Sequence, residues 1–171
     1  MKLFLVYLGG TAPGANIELH DIRFVVGERI EDTYQQLKQQ WFGSVRGLHL
    51  DSYLHVHHVD GYKIDLVREP QPAHGDKLYF VNFGGYFPGR IPEFHDFTLC
   101  VANSPEQAKQ KGYSHVLREG LANSEQPHKD DLLAVDDCLA VDLLDGWYVK
   151  LTADSQRQLL KPDWSGYEVI G

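Results

Sequence analysis

The sequence predicts an α+β fold: a tandem duplication of a ββαββ unit, with antiparallel sheets each covered on one face by a helix. Three observations predict it. Gly9-Gly10, Pro13-Gly14, Glu18 and His20-Asp21 recur as Gly84-Gly85, Pro88-Gly89, Glu93 and His95-Asp96, at one offset of 75 residues. Across Lys2 to Glu31 the two copies match at 12 of 30 positions, far above chance, which is the mark of internal repetition. Asp60-Gly61 and Asp145-Gly146, strong signals for a two-residue hairpin, close both copies.

The elements follow in order. Lys2 to Leu8 is an apolar run bounded by glycines, a buried strand. Gly9 to Asn16 reads as a loop, with glycines for positive φ and Pro13-Gly14 for a turn. Glu18 to Val26 alternates, with Ile22, Phe24 and Val26 on one face and Asp21, Arg23 and Val25 on the other. Ile30, Tyr34, Leu37 and Trp41 make one apolar stripe, predicting a helix over 30–42. Leu48 to Val59 alternates again. Leu48, Leu50, Leu54 and Val56 point one way; His49, Asp51, Tyr53, His55 and His57 point the other. Tyr62 to Val67 returns after the Asp-Gly turn.

The second unit repeats the plan. Lys77 to Phe83 is its first strand, Gly84 to Pro92 its loop, and Glu93 to Val101 its second strand, with Phe97, Leu99 and Val101 on one face. Ser104-Pro105-Glu106-Gln107 opens a helix with a cap, a first-turn proline and a capping-box Gln, and Gly112 is a candidate end or kink. The polar stretch 120–131 reads as a loop that moves the offset from 75 to 85 residues. Asp137 to Leu144 and Trp147 to Leu151 complete the unit. The expected boundaries are 1–67 and 77–151 for the units, 68–76 for a proline-stiffened linker and 152–171 for a tail. In the tail, 152–160 reads as a short helix and 167–170 as a last strand. Two similar units suggest a pseudo-twofold axis; packing sheet to sheet and joining edge to edge both remain open.

The chain resembles a bacterial family catalogued only as a domain of unknown function, whose members carry the unit once or twice. Leu5-Val6-Tyr7-Leu8-Gly9-Gly10, Pro13-Gly14, Glu18-Leu19-His20-Asp21 and Phe24-Val25-Val26-Gly27 carry the resemblance, with their counterparts in the second unit. It implies no activity, cofactor or catalytic residue.

Charge narrows the partners. The net charge is −8, with no block of Lys or Arg, so nucleic acid and anionic membranes are poor partners. The apolar opening recurs internally, which marks it as structure rather than a leader, and no stretch reaches the roughly 18 apolar residues of a membrane span. Two cysteines, Cys100 and Cys138, make no disulfide framework. A cytoplasmic protein is expected, with a small molecule or a second copy of itself as partner.

The candidate ligand-binding residues are Glu18, His20, Asp21, Glu93, His95, Asp96 and Arg90. Glu-x-His places both groups of each pair on the core-facing side of its strand. One reading makes His20 and His95 buried core-edge histidines that pin their loops. The other brings both pairs together, so that Glu18, His20, Glu93 and His95 hold a divalent metal with open positions for water or substrate. His55 and His57, with Asp51, have a metal-like spacing but read better as a solvated sheet face. In the second loop Tyr86, Phe87 and Arg90 could hold a planar anion, though exposed turn residues are the commoner explanation. Two functions follow: a non-catalytic small-molecule-binding or interaction module at the junction of the repeats, or a metal-dependent enzyme acting on a small molecule. Metal content separates them.

Overall fold

The computed structural model describes residues 1–85, 89–119 and 133–171. The loop expected at 120–131, and Tyr86 and Phe87, lie outside the described residues. In chain order the elements are β1 (Lys2–Thr11), β2 (Leu19–Gly27), a 3-10 turn (Ile30–Thr33) leading into α1 (Tyr34–Gln40), β3 (Ser44–Val56), β4 (His58–Val59) and β5 (Tyr62–Val67). Then come β6 (Lys77–Gly85), β7 (Phe94–Ala102), α2 (Pro105–Glu119), β8 (Leu133–Ala140), β9 (Leu143–Leu144), β10 (Trp147–Ala153) and β11 (Trp164–Val169). They form three sheets, ordered β11-β3-β1-β2, β7-β6-β8 and β4-β5-β10-β9. The α+β composition and the antiparallel pairing match the sequence reading.

The ββαββ plan needs one amendment. The third strand of each unit stops before its hairpin: β3 ends at Val56, and β4 and β5 leave for a different sheet. The Asp-Gly turns are as expected, with φ of 52° and 82° at Asp60-Gly61 and 49° and 74° at Asp145-Gly146. The freed hairpins then pair with each other, β5 against β10, in a register that sets Asp65 opposite Lys150 and Ile64 opposite Leu151. The repeats are therefore joined edge to edge. They also share a core: Leu3, Leu5, Leu54, Val56 and Ile64 pack with Leu78, Phe80, Leu99, Val101 and Val149. Phe24 meets Phe80 edge to face at 5.6 Å.

The outer face of each repeat's own sheet is covered by its helix. Ile30, Leu37 and Trp41 pack on Phe4, Val6, Leu8 and Val25, with Tyr34 beside them, so the expected stripe is the buried one. The helix over 30–42 begins instead as a 3-10 turn. On the second sheet, Ala108 of α2 packs on Tyr79, Val81 and Phe83. Ser104 caps α2 by accepting the Gln107 N–H at 3.2 Å, and the Gln107 side chain accepts the Asn103 N–H at 2.9 Å. Gly112 does not end α2, which runs to Glu119. A Cβ there would stand 3.1 Å from the Phe83 ring and 3.2 Å from Val81, so the glycine lets the helix approach the sheet.

Two further expectations are corrected. Gly9 and Gly10 do not start a loop; β1 continues to Thr11 and neither has positive φ. A Cβ on Gly9 would lie 2.3 Å from His49 Nε2, and one on Gly10 would lie 2.9 Å from the Trp41 ring. Both serve close approach, on opposite faces of the strand. The expected turn does form at Gly14, with φ of 85°. The stretch 152–160 makes no helix: β10 runs to Ala153 and the chain then crosses to β11. There Gln158 accepts the N–H of His57 and donates to the His55 carbonyl at 2.7 Å, standing in for a strand partner.

A β-bulge decides the faces of β3. Tyr7 pairs with Ser52 and Leu8 with Leu50, so Asp51 is the extra residue. Alternation flips there. Leu48 and Leu50 join the helix-side core, whereas Leu54 and Val56 join the shared core. The expectation of one continuous face for these leucines fails for that reason. His49 and Asp51 are thereby parted from Tyr53 and His55, which contact Phe4 on the helix side. The second repeat has the same irregularity, between Asn82–Asp137 and Phe83–Val135, with Asp136 as the extra residue.

Candidate metal centre

Four side chains converge where β2, β1 and β3 run side by side beyond the shared core. Gly9 of β1 pairs with His20 of β2 on one side and His49 of β3 on the other. Because Gly9 has no side chain, the two flanking strands can lean their polar groups over it. Glu18 and His20 come from one strand end, His49 and Asp51 from the bulge. Their ligand atoms all lie within 4.8 Å of one another.

The contacts alternate acid and imidazole around a ring. His20 Nε2 is 3.1 Å from Glu18 Oε1 and 3.3 Å from Asp51 Oδ2. His49 Nε2 is 3.3 Å from Glu18 Oε1 and 3.5 Å from Asp51 Oδ1. Donors about 2.1 Å from one ion stand roughly 3.0–3.4 Å apart at octahedral and tetrahedral angles, so four groups this close could close on one ion.

His49 is the decisive member. It is 1% exposed. Its Nδ1 lies 2.9 Å from the Gly47 carbonyl oxygen. A carbonyl only accepts, so Nδ1 carries the proton, and in the neutral ring Nε2 presents a lone pair. That nitrogen and Asp51 Oδ2 are buried without a hydrogen bond. A buried ring nitrogen set between carboxylates needs either a proton or a metal ion there. Rings hold the imidazoles in place: Tyr7 stacks on His20 at 5.3 Å, and Tyr167 tilts over His49 at 4.1 Å. Burial first, then the Asp51 and Asp21 carboxylates, raises the Tyr7 phenol above its usual value.

The sequence-predicted residues divide. Glu18 and His20 are in the ring. Glu93 and His95 are not; their imidazole–carboxylate pair, at 3.6 Å, is joined by Asp136 at 3.5 Å from His95 Nδ1. The partners of Glu18 and His20 thus come from β3 of the same repeat rather than from the other repeat, because the bulge turns His49 and Asp51 toward them. Asp21 pairs with Arg23 and accepts the Ile22 N–H; Asp96 likewise accepts the Phe97 N–H. Arg90 is exposed on the loop before β7. The expectation that His20 and His95 are buried is overturned: their side chains are 36% and 55% exposed, since both lie past the end of the shared core. Among the described residues the buried histidine is His49, which the alternation of its strand assigns to a solvated face. The signal that could have found it is a second i, i+2 pair, His49-x-Asp51, whose aspartate recurs at 136.

Comparison with known proteins places the chain in a family. No curated protein matches the chain. The crystal structure of the protein Il1583 from Idiomarina loihiensis is similar, at 49% identity and a TM-score of 0.77, over 99% of this chain and 97% of that one. The family described as Domain of Unknown Function (DUF1543) matches residues 15–66 and again 90–151. The chain belongs to that family and carries its domain in two copies.

Proposed function

We propose that the chain binds a divalent transition metal through Glu18, His20, His49 and Asp51, and presents it to a small molecule with oxygen donors. The observation that carries this reading is the buried Nε2 of His49, its tautomer set by Gly47 and its lone pair turned to the ring of donors. Two imidazoles and two carboxylates suit a borderline ion such as zinc, cobalt, nickel or iron(II), and two carboxylates neutralise its charge. Glu18 and His20 form the exposed side, where water or a ligand oxygen can reach the ion. The pairing of Asp65 with Lys150, its own counterpart at the 85-residue offset, supports a pseudo-twofold relation between the repeats. The test is metal content by mass spectrometry after purification without an affinity tag, followed by Co²⁺ titration of the chelated protein. Tight binding of Co²⁺ with ligand-field bands, lost in His49→Ala, is expected. No binding at micromolar Co²⁺ would overturn the proposal.

A second reading, a non-catalytic small-molecule module at the junction of the repeats, has its own support. A cavity of about 450 Å³ is lined by His58 and Asp60 of the first repeat, Leu99, Lys111 and His115 of the second, and Arg157 of the tail. This reading expects ligand binding unaffected by chelator and weakened by Arg157→Ala.

A further inference from the structure

We infer that the residue at position 49, with its counterpart at 134, decides which repeat holds metal: His49 equips the first repeat, and Ala134 leaves the second without a site. This rests on the metal reading above and extends it to stoichiometry.

The second repeat has almost everything the first has. Gly84 pairs with His95 and with Ala134, as Gly9 pairs with His20 and with His49. Glu93 and His95 stand where Glu18 and His20 do, and the bulged Asp136 stands where Asp51 does. Gly84 is needed for the same reason as Gly9. A Cβ there would lie 2.4 Å from Asp136 Oδ2 and 2.7 Å from Glu93 Oε1. Among the described residues no second imidazole joins them, since position 134 is alanine where position 49 is histidine.

The remaining donors also fail to converge. In the first repeat a single nitrogen, His20 Nε2, faces both carboxylates. In the second, His95 turns Nε2 to Glu93 and Nδ1 to Asp136, so neither nitrogen faces both. Asp136 Oδ2 also accepts the Asn82 amide at 3.4 Å, where the first repeat has Tyr7. A divalent ion gains affinity from several donors aimed at one point; two carboxylates set against different nitrogens of one imidazole do not supply it.

The experiment is Co²⁺ titration of the full-length, chelated protein, with stoichiometry read by mass spectrometry and by ligand-field absorbance. Wild type is expected to bind one ion per chain. His49→Ala should weaken that binding by at least about 100-fold, more than loss of an outer-shell partner costs. Ala134→His should bind two ions, the second with its own ligand-field bands. His95→Ala should leave wild-type stoichiometry and affinity unchanged within about twofold, whereas His20→Ala should not; this pair decides the matter even where Ala134→His misfolds. Two ions bound by wild type, or one ion bound by a folded Ala134→His, would overturn the inference while leaving the first site standing; a loss of affinity in His95→Ala would put the ion on the second repeat and overturn both readings. No ion bound by wild type would sink the metal reading itself, and this inference with it.

Discussion

His49 donates its Nδ1–H to the carbonyl oxygen of Gly47 at 2.9 Å, and so fixes which of its nitrogens faces Glu18 and Asp51. A ligand oriented before the ion arrives contributes its affinity without first being ordered. At a free ion concentration about 100 times Kd, binding stabilises the native state by about 2.7 kcal/mol, which raises Tm by roughly 5–10 °C in a chain of this size. Calorimetric scans should show that rise with Zn²⁺ or Co²⁺ in wild type and no rise in His49→Ala. Equal shifts in both proteins would mean the stabilising ion sits elsewhere.

Gly9 and Gly14 separate close approach from backbone strain. A methyl at position 9 would stand 2.3 Å from His49 Nε2 and 2.9 Å from Asp51 Oδ2. Gly9→Ala should therefore abolish metal binding and cost about 1–3 kcal/mol in the metal-free protein, as overpacking does. Gly14 has φ of 85° with nothing within 4 Å of an added methyl. Gly14→Ala should cost about 1–2 kcal/mol from the left-handed backbone alone and keep the ion. Denaturant melts with and without metal distinguish the two.

The hairpin turns are tested at Gly61 and Gly146, where φ is 82° and 74°. A valine at either position strains the turn that sends the hairpin to the shared sheet, at a cost of roughly 1–3 kcal/mol each. Unchanged melting midpoints in both variants would contradict this assignment.

Acid should weaken the fold through His55 and His57. Burial, the largest cause, and then a neighbouring imidazole (His57 for His55, His58 for His57) hold both below the ordinary histidine value, against the opposing pull of Asp163; Lys2 and the N-terminal amine add to the lowering at His55. A histidine with a lowered folded pKa takes up its proton more readily when unfolded. Its contribution is intact above the unfolded value, about 6.5, and is lost as pH falls through the folded value. Tm measured between pH 7.5 and 5.5 in metal-free protein should fall, and the His55→Gln/His57→Gln variant should flatten that part of the profile.

The sequence carries the repeat, the strands of each unit and the Asp-Gly turns openly, because each rests on local rules: apolar runs, helical spacing and φ demands. The candidate site is legible only by half. His20 sits on the regular strand β2, with Glu18 just before its first residue, where period-two alternation assigns the face correctly. His49 and Asp51 sit at a bulge, and one inserted residue reverses the face of everything beyond it. Nothing local to Leu48–Val56 marks that insertion, since it is set by how β3 meets β1. The same holds for Gly9, whose role depends on what another strand leans over it. The stretch 152–160 is read as helix from composition, but it spends its polar groups on β3 and β4 instead.

The β5–β10 pairing, with Asp65 against Lys150, also bears on how such a protein can change. If the same strand contact joined two separate copies of one unit, every substitution would appear in both halves at once, and losing the histidine at one site would lose it at the other. Covalent fusion removes that coupling. One half can keep its donors under selection while the other drifts to alanine and still supplies a strand, a share of the core and a covered edge. An unequal pair of halves is something a fused chain can inherit and a homodimer of identical chains cannot.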